Sequence, residues 1–245
     1  MKTKENRYRA LIYIIGLLIL AMGLTLNTKA GLGVSPIISI AYAASQMTGQ
    51  NFGNTTLILY TGFVLIEMLL HARRVRRQKK TENVVLKHAE KIDAKLIFLM
   101  DFLQIPLSIV FTRFLNVFSA VIPDIQTEGK NAAAVLGIRL AVLALALLFT
   151  GIGAALSLNM RIVPNPGDGI VQAIADECHK SVGFIKNCVD VTCVITTVVS
   201  SLAFSGKLYG VGIGTVIAMI AVGRIIATFN HFTKKKLMEM TGVEE

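Results

Sequence analysis

Three aspartates sit in or beside long apolar stretches of this chain: Asp101, Asp168 and Asp190. Asp101 is followed by Gln104, Ser108 and Thr112 at steps of three and four, so the four share one helical face, with Asn116 beside it. Asn187, Asp190, Thr197 and Ser201 make a comparable stripe further on. A carboxylate within a bilayer is costly and usually faces a cavity or a partner, which makes Asp101 and Asp190 candidates for contact with a substrate, an ion or a proton. The plainer alternative is helix packing through amide and hydroxyl hydrogen bonds, with an Asp near a span end reaching the interface. Arg113 and Arg224 are the natural charge partners. Glu67 and Lys186, near span ends, read as snorkelling groups.

The second kind of chemistry lies in two short segments broken by Gly and Pro. The first reads Gly31-Leu-Gly33-Val-Ser35-Pro36. Ser35 suits a helix N-cap and Pro36 the first helical position, while Gly31 and Gly33 let the backbone turn tightly. The second reads Asn165-Pro166-Gly167-Asp168-Gly169, with Asn165 as N-cap, Pro166 opening the helix, and Asp168 in its first turn. Free amides at a helix start attract anions, so the first segment suits an anionic or polar ligand. The second already carries a carboxylate and suits a cation or proton. The competing role for Asp168 is that of a simple cap.

No catalytic order of residues is present, and the chain is not expected to be an enzyme or to hold a cofactor or metal. His71, His88, His179 and His231 fall in or near loops without ligand spacing, and there is neither a Ser/His/Asp order nor an HExxH. Gly210, Gly212 and Gly214 have the look of a nucleotide loop but no strand precedes them; with Gly206 and Ala218 they read as a small-residue packing ridge. Cys178, Cys188 and Cys193 form no CxxC pair and read as small reduced hydrophobes.

The elements that must hold these groups are membrane helices. Of 245 residues 53% are hydrophobic and 16% charged, with a mean hydropathy of +0.63, which points to lipid rather than water as the main solvent. Six segments, 9–28, 53–70, 96–121, 133–158, 183–204 and 209–229, approach the roughly 20 residues needed to cross a hydrocarbon core. Segments 36–47 and 166–178 are too short and are expected to be re-entrant or interfacial half-helices. The formal charge of +10 is concentrated in three clusters: the N-terminus, the loop 71–95 with Arg73, Arg74, Arg76 and Arg77, and the tail 231–245 with Lys234, Lys235 and Lys236. Basic loops stay on the cytoplasmic side, and six spans put all three there, with both termini inside. Binding of anionic headgroups by the basic loop follows; nucleic acid does not. Residues 84–96 alternate charged and apolar positions like a short amphipathic surface helix.

Shifted by 130 residues, the halves align: Gly23 on Gly153, Leu26 on Leu156, Pro36 on Pro166, Ile40 on Ile170 and Gly53 on Gly183. The register then slips to 111, placing Arg113 on Arg224 and Phe118 on Phe229. The chain thus divides into a first membrane repeat (1–121), a connection (122–132), a second repeat (133–230) and a tail. Three crossings per half invert the second half relative to the first. The expected fold is all-α, six transmembrane helices in a 3+3 inverted-topology repeat with two half-helices. Such repeats, with broken helices at matching places, mark many secondary transporters.

With Gly31-Leu-Gly33-Val-Ser35-Pro36, Asn165-Pro166-Gly167-Asp168-Gly169 and Gly212-Ile-Gly214-Thr215, the chain resembles the YczE/YitT-type bacterial integral membrane proteins. The resemblance implies a bacterial inner-membrane location. Where the second repeat has Gly167-Asp168, the first has Ile37-Ile38, so only the second keeps an acid there. Two functions are then expected to compete. One is a small secondary transporter or permease for an unknown small polar or ionic solute. The other is a non-transporting scaffold or regulator that recruits a partner through the basic loop. Self-association stays open.

Overall fold

The computed structural model describes residues 2–82, 94–126 and 131–243; most of the expected surface helix over 84–96 lies outside them. Among the described residues the helices are α1 (Lys2–Ala30), α2 (Pro36–Thr48), α3 (Phe52–Glu82), α4 (Ala94–Val121), α5 (Ala132–Asn159), α6 (Pro166–Cys178), α7 (Val182–Ser205) and α8 (Ile213–Thr241). All but α2 and α6 are long and apolar enough to cross a membrane, the make-up of a multi-pass membrane protein. Several of the expected boundaries move, the start of α1 from residue 9 to Lys2 among them. Helix α3 runs on to Glu82 and α8 to Thr241, so the arginines at 73–77 and the lysines at 234–236 stand on helices rather than in a loop and a tail. Lys, Arg and Glu are good helix formers, so leaving the apolar zone does not end a helix.

Helices α1 and α5 form the central crossing. A methyl built on Gly23 would stand 2.5 Å from the Thr150 amide nitrogen, and one on Gly153 would run into the backbone of Leu20. Glycine on both sides is what lets the two backbones approach so closely. The ends of these helices are closed in matching ways. Arg9 on α1 donates to the carbonyls of Met160 and Arg161 just past α5, each at 2.7 Å. Arg139 on α5 lies against Gly31 just past α1, its Cζ 3.7 Å from where a Gly31 β-carbon would be. Gly31 and Arg161 both take left-handed backbone, with φ of 66° and 46°.

The short helices pack across the molecule: α2 against α7 and α3, α6 against α3 and α7. Both have the same length and both end on a left-handed residue, Gly49 and His179. Helix α3 lies along α4, α5 along α8, and α1 also touches α4, whereas α7 and α8 scarcely meet. The loop leading into α2 is held by the loop leading into α8, through Val34 N–H to the Gly210 carbonyl at 2.8 Å and Gly214 N–H to the Leu32 carbonyl at 2.7 Å.

Candidate functional site

A cavity of about 750 Å³ lies where α2, α3, α4, α6, α7 and α8 converge. Both broken segments reach it: Ser35 and Pro36 at the start of α2, Asp168 and Gly169 in the first turn of α6. The two helix starts also touch one another, since a β-carbon on Gly167 would lie 3.2 Å from Ile37 Cγ2. Apolar residues of α8, among them Ala218, Met219 and Ile226, form the opposite wall.

The two helix starts are capped differently. Asn165 does what its position predicts, its Oδ1 accepting from the Gly167 amide at 3.0 Å. Ser35 occupies the N-cap position of α2 but makes no capping hydrogen bond, so its hydroxyl is left to the cavity it lines. With Asn165 as the cap, the Asp168 carboxylate is not needed for that purpose. It stands instead in the electrostatic field of Lys186 and Asp190.

Four carboxylates line the cavity, Glu67, Asp101, Asp168 and Asp190, against one ammonium, Lys186, and one imidazole, His71. Asp190 is buried on α7 and receives both of its hydrogen bonds from Lys186 Nζ, at 2.7 and 2.9 Å, one helical turn away. Asp101, 2% exposed, takes His71 Nδ1 at 2.9 Å. Gln104, fully buried, donates from Nε2 to Glu67 Oε1 at 2.9 Å. The formal balance is acidic. The partial positive charges of the two helix starts face these four acids.

Of the residues singled out in the sequence, Ser35, Pro36, Asp101, Gln104, Asp168, Asn187 and Asp190 line this cavity. Gly31 and Gly33 do not. They belong to the loop that meets the start of α8, where a Gly33 side chain would collide with Gly212 and Thr215. Asn165, Pro166 and Gly167 shape the helix start from behind, buried. The arginines take no part in pairing the acids: Arg113 is exposed and donates to Asn54 Oδ1 at 3.2 Å, and Arg224 is exposed on α8. Asp101 and Asp190 are paired by His71 and Lys186 instead.

Besides Lys186, which pairs with Asp190, two residues of the site escape a reading by span ends. Glu67 is 3% exposed rather than snorkelling, and His71 lies within α3 rather than in a loop. Their spacing of four, facing the Asp101 and Gln104 stripe, was the available signal. The 130-residue shift places Glu67 on Thr197 and His71 on Ser201, the far end of the α7 polar stripe. There the Ser39 and Thr197 hydroxyls are hydrogen-bonded at 2.7 Å and buried.

No curated protein and no solved structure matches this chain. A family of unknown function, DUF6198, matches over residues 7–88 and 90–231. These two stretches take in α2 to α7, most of α1 and α8 and every lining residue of the cavity, and the chain belongs to that family.

Proposed function

We propose that this protein is a small secondary transporter or permease that exposes one central cavity alternately to the two sides of a membrane. Its solute is small and polar or ionic, and the acid-lined wall favours a positively charged group. The observation that carries the reading is the meeting of two half-helix starts in one cavity with buried carboxylates, the placement expected of a substrate site between repeats.

Several pairings support an inverted 3+3 repeat beneath it. Arg9 closing α5 and Arg139 facing the end of α1 are 130 residues apart, as are Gly31 and Arg161. Packing of α2 on α7 is answered by packing of α6 on α3. Glu67 lines the cavity while Thr197, 130 residues further on, is bonded to Ser39, a difference that fits one end state of an alternating cycle. We also read the protein as a bacterial inner-membrane protein akin to the YczE/YitT type, with both termini cytoplasmic. Support comes from the basic clusters that flank the spans; in the α3 cluster Arg74 and Arg77 pair with Asp176 and Glu177 at 2.7 and 2.8 Å. Those pairs also weigh against the basic segment serving chiefly to recruit a partner.

Purified protein in liposomes, offered a panel of inorganic cations and small amines under a pH gradient or membrane potential, tests the reading. Saturable uptake of at least one solute, lost in Asp190→Asn, is the expected result. Flux indistinguishable from empty liposomes across the panel contradicts it.

A further inference from the structure

We propose that Glu67, His71 and Asp101, with Gln104 holding the Glu67 carboxylate in place, form a binding site for a divalent transition-metal ion such as Zn²⁺ or Mn²⁺ in the cavity wall. Glu67 and His71 stand one turn apart on α3 and so present their side chains to the same side. Asp101 and Gln104 come from α4, which packs along α3. One ligand atom from each of Glu67, His71 and Asp101 lies within 4.8 Å of the other two. Ligands on one ion, each about 2.0–2.2 Å from it, stand at most about 4.4 Å apart, so a small inward shift completes the set.

An independent observation points to a ligand. Glu67 Oε2 and Gln104 Oε1 are both buried without a hydrogen-bond partner among the described residues. Both are acceptors on side chains no more than 3% exposed, and buried acceptors without a donor are costly. The local donors are already committed: Gln104 Nε2 to Glu67 Oε1, and His71 Nδ1 to Asp101 Oδ2. A cation held by the cluster gives Glu67 Oε2 the partner it lacks. Room for the Glu67 carboxylate depends on Gly169, whose β-carbon would stand 2.6 Å from Oε2.

The donor set selects the kind of ion. Ca²⁺ and Mg²⁺ take oxygen ligands, whereas an imidazole among carboxylates suits first-row transition metals. To bind the metal His71 must be a neutral ring with a lone pair on the coordinating nitrogen: an imidazolium releases one ring proton to water, while a neutral ring coordinates through the nitrogen that carries no proton. The site is independent of transport: a scaffold with these four side chains binds the ion as well.

Isothermal titration calorimetry on full-length, tag-free protein in detergent tests the site with Zn²⁺, Mn²⁺ and Mg²⁺. One Zn²⁺ or Mn²⁺ per chain is expected, with at least about tenfold weaker binding in His71→Gln and in Asp101→Asn, and little response to Mg²⁺. X-ray absorption of the wild-type protein loaded with Zn²⁺ needs no variant to fold and should show imidazole nitrogen together with oxygen ligands. Absence of saturable binding, which would leave Glu67 and Asp101 sharing a proton instead, overturns the proposal. So does binding undiminished by Glu67→Gln combined with His71→Gln, or an all-oxygen shell.

Discussion

Ile37 and Gly167 occupy the same step of the two half-helices, and they touch: a β-carbon at 167 would come within 3.2 Å of Ile37 Cγ2. One partner is large and the other has no side chain, which is how two helix starts fit into one small space. Gly167→Val therefore overpacks the meeting point and lowers stability by about 1–3 kcal/mol. Adding Ile37→Ala to Gly167→Val should restore most of the loss, read as melting temperature in detergent; an additive loss would show that the two residues do not press on each other.

The capping difference gives a paired prediction. Asn165→Ala removes the bond to the Gly167 amide and should cost about 1 kcal/mol. Ser35→Ala removes no cap bond and should leave the melting temperature nearly unchanged while altering uptake, because Ser35 faces the cavity. Equal destabilisation by the two changes would contradict the assignment.

At the α1/α5 crossing, Gly153→Ala drives a methyl into the backbone of Leu20 and should destabilise strongly. Gly62→Ala and Gly223→Ala are the controls, since a β-carbon there meets nothing within 4 Å. Both should be neutral or slightly stabilising, because Ala is the better helix former by about 1 kcal/mol.

Lys186 supplies both hydrogen bonds that Asp190 receives. Lys186→Met strands a buried carboxylate, so it should lower thermal stability more than Lys186→Met combined with Asp190→Asn, which removes both charges. Uptake should fail in both. Recovery of uptake in the double variant would separate the acid from the transported solute.

Much of this architecture is written locally in the chain. Half-helices expected over 36–47 and 166–178 appear as Pro36–Thr48 and Pro166–Cys178, because a Pro behind a capping residue fixes a helix start and a left-handed residue fixes its end. The charge pairing was less legible. Hydropathy says how deep Glu67, His71 and Lys186 lie along a span but not which way they face, and so it sent them to the interface and left Arg113 and Arg224 as partners for the acids. What decides the pairing is the neighbour across the helix interface: α4 brings Asp101 to His71, and the turn of α7 brings Lys186 to Asp190. The Ser35 cap failed for a similar reason, since its loop is set by contacts to Gly210 and Gly214 rather than by its own hydroxyl.

Alternating exposure is tested most directly by cysteine accessibility. In a background of Cys178→Ser, Cys188→Ser and Cys193→Ala, Asn187→Cys lies in the cavity and Thr197→Cys at the hydroxyl pair with Ser39, where Thr197 is fully buried. A membrane-impermeant maleimide applied from each side in turn should modify position 187 from one side and position 197 from the other within the same preparation. If position 197 stays inert from both sides, or is modified from the same side as 187, the cavity does not alternate and the transport account is wrong.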